Sequence, residues 1–318
     1  MTRYAALAVW LTCVTAASAA AEAPEEAPLI PPDAVVEVVS TGDYRFTEGP
    51  ALAPDGSIYF SDIPNNSIHR YDPDTGETTL FTDDSGGANG LMIVQLSEDE
   101  ARLFACEGRR RAVATYRLSD PESREVFVDR YDGKRLNSPN DLTMMYPIVL
   151  FTDPRYGKQD DRELEAEHVF ILPPSPRGEQ RIIPLAADFQ KPNGIVHCPS
   201  SWRLFIADNK AKTVAVVPFG YRPDPVMEEL PAPEVFANLA DLGGPDGMTV
   251  DHAGRLYVAI FGQGILILSP DGDRLGFIET GPQTTNCVFG ADGQTLYVTA
   301  EKSLKRVVLN TGAPAVDD

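Results

Sequence analysis

Six short segments of the sequence each place a carboxylate or carboxamide residue at the start of an apolar strand pattern, and these residues could hold a metal ion. They are Glu48, Asn89, Asn140, Asn193, Asp246 and Asn286. All six side chains can coordinate through oxygen, two of them carry negative charge, and none is His or Cys. Such a donor set suits Ca²⁺, with Mg²⁺, Mn²⁺ or Zn²⁺ as alternatives. If the six side chains converge, they form one divalent metal site.

A second explanation covers part of this set, because Asn and Asp are common turn residues whatever the function. The segment Pro245-Asp246-Gly247 itself has the composition of a tight turn. For Asn89 and Asn286, the turn and ligand explanations are left equally open. Glu48 favours the metal, because Glu is a poor turn residue and two facing carboxylates need a compensating cation.

The six segments are copies of one repeating unit, in which a turn and a second strand rich in aromatic and β-branched residues follow the first strand. The equivalent position of the second strand falls at Tyr59, Phe104, Leu150, Phe205, Tyr257 and Tyr297, with spacings of 45, 46, 55, 52 and 40 residues. Such spacing, with almost no helical periodicity, predicts an all-β fold, a six-bladed β-propeller. The first strand of each blade lines the central channel, so the six polar residues should form a ring at one mouth.

The last repeat is one strand short. After Ser303–Asn310 only eight residues remain, too few for a fourth strand. The segment Ala34–Ser40 precedes the first repeat and has the pattern of a strand. We expect it to complete the last blade, which closes the ring and hides two sheet edges.

Composition and chain ends restrict the function and the location. The 318 residues include 27 Lys and Arg against 47 Asp and Glu, a net charge of −20, which argues against nucleic acid or an anionic membrane as partner. Residues 1–21 resemble a signal peptide, which predicts a periplasmic or secreted protein. We assign 22–33 to a flexible linker rich in Pro and Glu, 34–311 to the propeller and 312–318 to a tail. No further segment is long and apolar enough for a membrane span.

The cysteines and histidines do not supply the chemistry. Of the four cysteines, Cys13 would be lost with the predicted signal peptide. The remaining Cys106, Cys198 and Cys287 are odd in number and widely spaced, so we expect buried free thiols rather than disulfides. The four histidines are His69, His168, His197 and His252. None lies at the polar position that opens each repeated unit or in a nucleophile-elbow motif, which disfavours Ser–His chemistry.

The repeated segments resemble the calcium-dependent gluconolactonase family, which includes the animal protein regucalcin (senescence marker protein). The resemblance covers about Val35 to Leu309 and includes "EGPALAPDGSIYFSD", "GKRLNSPNDL", "FTDPRYG" and "GGPDGMTVDHAGRLYVA", of which the middle two are typical of the bacterial gluconolactonase-like branch. It implies a six-bladed propeller with one divalent ion at the channel mouth.

The same resemblance implies roles for individual residues. The metal ligands correspond to Glu48, Asn140, Asn193 and Asp246, and Asp246 is also the expected general base. Substrate binding is assigned to Asn89, Asn137, Ser138 and Tyr156. One departure is a shortened hairpin after Asn140, with Pro147 at its turn.

These observations predict an exported hydrolase that opens a sugar lactone such as gluconolactone. Hydrolysis of this cyclic ester needs a polarised carbonyl, an activated water and a place for developing negative charge, and a divalent cation with a carboxylate base supplies them. The loop Pro154–His168 should project toward the metal and shape specificity. The alternative is a non-catalytic propeller that binds a sugar or a metal ion, because propellers host many functions.

Overall fold

The repeating unit of the sequence forms a four-stranded antiparallel sheet, and six such sheets are arranged as a β-propeller. The computed structural model describes residues 27–174, 181–185, 187–219 and 231–311, and every regular element in these ranges is a strand. The predicted signal peptide and tail lie outside the described residues and stay predictions. The predicted fold is confirmed.

Five blades are built from four consecutive strands in order from the channel outward, and the sixth takes its outer strand from the N-terminus. Blade 1 contains β2 (Thr47–Leu52), β3 (Ile58–Asp62), β4 (Ser67–Tyr71) and β5 (Thr78–Thr82). Blade 2 contains β6 (Ala88–Ser97), β7 (Glu100–Glu107), β8 (Ala112–Arg117) and β9 (Asp120–Val128). A small hairpin of β10 (Arg130–Tyr131) and β11 (Lys134–Arg135) follows. Blade 3 contains β12 (Leu142–Met145), β13 (Ile148–Asp153), β14 (His168–Leu172) and β15 (Ile183–Pro184).

The second half of the ring repeats this order. Blade 4 contains β16 (Pro192–Cys198), β17 (Arg203–Asp208), β18 (Thr213–Pro218) and β19 (Glu234–Asn238). Blade 5 contains β20 (Pro245–Val250), β21 (Leu256–Ile260), β22 (Gly264–Leu268) and β23 (Arg274–Glu279). Blade 6 contains β24 (Thr284–Phe289), β25 (Thr295–Ala300), β26 (Ser303–Val308) and the N-terminal strand β1 (Glu37–Thr41).

The ring closes through the N-terminal strand, as predicted, although β1 starts three residues later than the sequence pattern. It pairs antiparallel with β26, and an ion pair of 2.8 Å joins Glu37 and Arg306 across this pairing. The preceding segment also packs on the blades. Leu29 and Ile30, inside the predicted 22–33 linker, lie against the core between blades 5 and 6, and Asn310 donates a backbone hydrogen bond to the Leu29 carbonyl at 2.9 Å.

The hydrophobic core is divided among the six contacts between neighbouring blades, with one cluster of buried side chains at each. The equivalent positions of the six second strands are all buried, and each belongs to a different cluster: Tyr59, Phe104, Leu150, Phe205, Tyr257 and Tyr297. The repeat spacing therefore marks the residues that join blade to blade. The same packing brings the six first strands into contact around the channel.

Candidate active site

A β-bulge interrupts the first strand of five blades close to the ring residue. The pairing with the second strand shifts between Glu48 and Ala51, and equivalent shifts occur in β6, β16, β20 and β24. Bulges are common beside active sites because they re-aim a side chain. The expected tight turn at Pro245–Gly247 is therefore wrong: Asp246 lies inside β20, and the Asp-Gly pair forms part of a bulge.

Glycine follows four of the ring residues because the first strands approach one another closely at the channel. A Cβ at Gly49 would lie 2.1 Å from the Asn89 carbonyl oxygen, and one at Gly194 would lie 2.2 Å from the Asp246 carbonyl oxygen. Gly90 and Gly247 are equally crowded. Any larger residue would push the blades apart and separate the ring side chains.

Hydroxyl groups of the second strands hold the backbone of ring residues in neighbouring blades by hydrogen bonds. Ser61 donates to the Asn89 carbonyl at 2.8 Å, and Thr152 donates to the Asn193 carbonyl at 2.7 Å. In blade 3 the backbone N–H of Asn140 donates to the Thr152 carbonyl at 2.9 Å. The hairpin with Pro147 in its turn is tight, as predicted, with two residues between Met145 and Ile148.

Five of the six ring residues line one cavity of about 810 Å³ at the mouth of the channel. They are Glu48, Asn89, Asn140, Asn193 and Asp246. The apolar part of the wall includes Phe46, Ile63 and Phe261. The loop between β13 and β14 contributes to the cavity wall, in agreement with its predicted direction. Tyr156 of this loop accepts a hydrogen bond from Asn193 Nδ2 through its hydroxyl at 3.1 Å.

Asn286 is the ring residue that the structure keeps away from the cavity wall. Its carboxamide fills the space beside Gly247, where a Cβ would lie 1.9 Å from Asn286 Cγ. Its Nδ2 donates to Asp141 Oδ2 at 3.4 Å, below the cavity floor. Asp141 directly follows the ring residue Asn140 but was not identified from the sequence. In a regular strand, the side chain that follows an inward-facing one points away from the channel.

Three buried carboxylates, those of Glu48, Asp246 and Asp141, dominate the electrostatics at the cavity floor. Burial raises the pKa of Asp246 to about 8, and the charge of Asp141 adds to this rise. Burial also raises the pKa of Glu48 well above its ordinary value, with a further contribution from the charge of Asp246. Glu48 Oε2 accepts a hydrogen bond from the Gly49 N–H at 3.1 Å, whereas Asp246 Oδ1 is buried and has no hydrogen-bond partner among the described residues.

The residues present fit a divalent cation. A buried carboxylate oxygen without a partner costs free energy, and a cation between Glu48 and Asp246 would remove both this cost and their mutual repulsion. Asn140 and Asn193 could complete an all-oxygen set without adding charge. Among the described residues, no three His, Cys, Asp or Glu side chains are arranged so that they alone could hold a metal ion, so the site would depend on these carboxamides.

The remaining predicted substrate residues are placed differently. Ser138 lines the cavity, and its hydroxyl donates to the Gly108 carbonyl at 3.2 Å. Asn137 is fully buried behind it and does not line the cavity. Its Nδ2 donates to the carbonyls of Asp153 and Ala166, at 3.0 Å and 2.9 Å. Contact between Asn137 and substrate stays a prediction. The buried position of Asn137 favours a structural role, in which it supports the backbone at Ser138.

An aspartate at the end of the second strand recurs in three blades and was not assigned from the sequence. Asp153 accepts backbone hydrogen bonds from Asn137 and Ser138, at 2.7 Å and 2.8 Å. Asp62 and Asp208 accept equivalent pairs in blades 1 and 4. These carboxylates hold the segment that leads into the first strand of the same blade, and therefore position the ring. The repeated endings "FSD", "FTD" and "IAD" are the signal that could have identified them.

No histidine lines the cavity, and the three cysteines of the described residues are buried and free, as predicted. In the same ranges, no helix is long and apolar enough to cross a bilayer.

Comparison with known proteins identifies the family. The SMP-30/Gluconolactonase/LRE-like region matches residues 46–302, most of the chain. The protein belongs to this family. A gluconolactonase from Zymomonas mobilis is 31% identical over 300 residues, which cover 87% of this chain and 82% of that protein. The pentonolactonase XacC from Haloferax volcanii is 29% identical over 281 residues, which cover 83% and 84% of the two chains.

A solved structure of a gluconolactonase from Xanthomonas campestris has the same propeller. It is 27% identical to this chain, with a TM-score of 0.76, and the match covers 89% of this chain and 91% of that one. The sequence resemblance to the gluconolactonase family is confirmed.

Proposed function

We propose that this protein is an exported hydrolase that opens a sugar lactone, of the gluconolactone type, with the help of one divalent ion, Ca²⁺ in preference to Zn²⁺, Mg²⁺ or Mn²⁺. The observation that carries the proposal is the buried pair Glu48 and Asp246, flanked by two carboxamides on the floor of a cavity of about 810 Å³. The gluconolactonase and pentonolactonase relatives support a lactone as the substrate. The buried carboxylates and these relatives together favour a hydrolase over a non-catalytic propeller that binds a sugar or a metal ion.

The ion would be held by Glu48, Asn140, Asn193 and Asp246. When bound, it supplies a Lewis acid that polarises the lactone carbonyl and stabilises the negative charge that develops on the carbonyl oxygen. An ion of this kind also favours the ionised form of both carboxylates, which their burial disfavours.

Asp246 is the proposed base. Its carboxylate, of which Oδ1 has no hydrogen-bond partner among the described residues, accepts a proton from water while the water oxygen bonds to the carbonyl carbon. The ring C–O bond then breaks, and the ring oxygen takes up the proton and leaves as a hydroxyl group. The products are a hydroxy acid and the restored carboxylate.

The other side chains of the cavity orient the substrate. Tyr156 holds the Asn193 carboxamide through its hydroxyl, and Asn89 and Ser138 offer hydrogen-bonding groups to sugar hydroxyls. Phe46 and Phe261 lie with ring centroids 6.5 Å apart and provide an apolar wall that excludes water. Substrate orientation by several fixed groups lowers the entropic part of the barrier.

A panel of five- and six-membered sugar lactones tests the activity. Protein stripped with a chelator is supplied in turn with Ca²⁺, Mg²⁺, Mn²⁺ or Zn²⁺, and acid release is followed in a pH-stat. We expect release above the spontaneous rate for at least one aldonolactone, and only with added metal. Release at the spontaneous rate for every lactone and ion would leave the binding propeller as the function.

Export is the second part of the proposal and depends on residues 1–21, which lie outside the described residues. Their charged start, apolar stretch and small-residue end support a signal peptide. Mass spectrometry of protein from the periplasm or medium should find a start between Ala20 and Ala23. Intact Met1 on cytoplasmic protein would contradict export.

A further inference from the structure

The wall of the cavity is cationic, although the protein as a whole is strongly acidic. Four cations line it together with Glu48, Asp161 and Asp246: Arg109, Arg111, Arg155 and Lys158. Cations therefore outnumber carboxylates around the cavity, whereas the chain has 27 Lys and Arg against 47 Asp and Glu. Such a local reversal of charge attracts anions to a protein that otherwise repels them.

Two of the four cations have structural partners. Arg111 is buried and lies 3.5 Å from Asp161 Oδ2, and it also donates to the Asp161 carbonyl at 2.8 Å. Arg155 is buried, forms an ion pair with the same aspartate and donates to the Asn137 carbonyl at 2.7 Å. These arginines hold the loop between β13 and β14, and Asp161 offsets part of their charge.

Arg109 and Lys158 differ, because neither has a carboxylate partner among the described residues. The exposed Arg109 side chain crosses Gly87, where a Cβ would lie 2.6 Å from Arg109 Cγ, and it donates to the Pro64 carbonyl at 3.2 Å. The other N–H groups of its guanidinium form no hydrogen bond in the described part of the chain. Lys158 is exposed and takes part in one hydrogen bond there, through its backbone carbonyl.

The two side chains belong to loops of neighbouring blades, β7–β8 in blade 2 and β13–β14 in blade 3, and both face the same cavity. Hydrogen bonds hold both loops. The Gly108 and Arg109 N–H groups donate to the carbonyls of Gly87 and Gly86, at 3.2 Å and 3.0 Å, and Arg155 Nε donates to the Lys158 carbonyl at 2.8 Å. A ligand on the cavity floor would therefore have two unpaired cations beside it.

We propose that Arg109 and Lys158 bind an acidic group of the substrate, so that the protein prefers lactones that carry a carboxylate or a phosphate at a position distant from the ring ester. This inference rests on the proposed lactone hydrolysis and narrows its substrate class. Hydrogen bonds between ionised partners are roughly twice as strong as neutral ones. Neutral hydroxyls need no such cations, because the carboxamides and Ser138 can serve them.

Kinetics with three lactones test the proposal: neutral gluconolactone, a glucaric acid lactone with a carboxylate, and phosphogluconolactone. For the wild type we expect kcat/KM to be at least about tenfold higher with one of the anionic lactones than with the neutral one, the size expected of one or two charge-assisted hydrogen bonds. The two anionic lactones show which acidic group is preferred. Added salt should reduce the preference.

The double variant Arg109→Gln/Lys158→Gln should lower the anionic-to-neutral ratio of kcat/KM by about tenfold or more. Lys302→Gln is the matched control, because Lys302 is exposed in the equivalent loop between β25 and β26 and does not line the cavity. It should leave the ratio unchanged. Equal kcat/KM for all three lactones, or a ratio that the double variant does not alter, would overturn the proposal.

Binding of the open-chain products separates this proposal from the proposed function. Calorimetry compares gluconate, glucarate and phosphogluconate on the wild type and the double variant. All three products carry the carboxylate that ring opening forms, and glucarate and phosphogluconate carry a second acidic group. If no lactone is opened, yet glucarate or phosphogluconate loses about tenfold more affinity than gluconate in the double variant, the site for the second acidic group stands and lactone hydrolysis fails. If gluconolactone is opened and the double variant weakens all three products equally, hydrolysis stands and the anion site fails.

Discussion

Glu48 and Asp246 contribute the same charge to the cavity floor from different blades, but in the proposed reaction only Asp246 accepts a proton. Asp246 Oδ1 is unpartnered among the described residues, whereas Glu48 Oε2 accepts the Gly49 N–H at 3.1 Å. Asp246→Asn and Glu48→Gln each remove one negative charge with little change in size. Both should weaken metal binding, but only the Asp246 variant should lose the base.

The size of each effect follows from these roles. A divalent ion about 4 Å from one carboxylate interacts with it by about 8 kcal/mol at an effective dielectric constant of about 20, and relief of a repulsion of about 4 kcal/mol between the two carboxylates offsets about half of the loss. We therefore expect metal affinity to fall by about 10²- to 10³-fold in both variants. A general base contributes about 10²- to 10⁴-fold to the rate. At saturating metal, Glu48→Gln should recover to within about tenfold of the wild type, whereas Asp246→Asn should remain about 10²- to 10⁴-fold slower.

The assay is lactone turnover in a pH-stat as a function of Ca²⁺ concentration, with metal affinity measured separately by calorimetry. Glu165→Gln provides a control for charge, because Glu165 is exposed on the β13–β14 loop and does not line the cavity. It should change neither affinity nor rate. Equal recovery of the two site variants at saturating metal would refute the assignment of Asp246 as the base.

Four further predictions concern pH, closure of the ring and the support of the site. Burial raises the pKa of Asp246 to about 8, so protons compete with the metal, and calorimetry should show Ca²⁺ affinity rising from about pH 6 to about pH 8 and levelling above it. For the same reason the metal-free protein should lose stability as pH rises through that pKa, since the folded state holds the proton more tightly than the unfolded state. Removal of 1–26 should leave the melting temperature unchanged, whereas removal through Thr41 should lower it by exposing the edge of β26; equal melting temperatures would contradict closure by β1. Asp153→Asn places an amide donor against one of two backbone N–H groups, so denaturant unfolding should show a loss of about 1–3 kcal/mol, and an unchanged value would contradict its positioning role.

The sequence is sufficient to predict the six blades, the closing strand and the convergence of five ring residues. Alignment of the repeats with one another identifies the equivalent positions of the six blades. Tyr59 and its equivalents mark the blade contacts, and the polar residue at the start of each unit must then face the channel. These predictions depend on periodicity, which is present in the chain itself.

The parts that the sequence did not reveal depend on contacts between distant segments. The Asp-Gly pair at Asp246 has the composition of a turn as well as of a bulge, and the close approach of the neighbouring blade selects the bulge. Asn286 turns away from the cavity because Gly247 leaves room for its carboxamide. The cations Arg109 and Lys158 lie 49 residues apart in the chain, and only the ring arrangement places them on one wall.

The central claim is that a divalent ion held at Glu48 and Asp246 is needed for lactone opening. The most direct measurement is the initial rate of acid release from a hydrolysed lactone by chelator-stripped protein, before and after titration with Ca²⁺. We predict that acid is released at the spontaneous rate without metal and that the full enzymatic rate is recovered at one bound ion per chain. Full activity in the stripped protein, or one bound ion without any gain in rate, would contradict it.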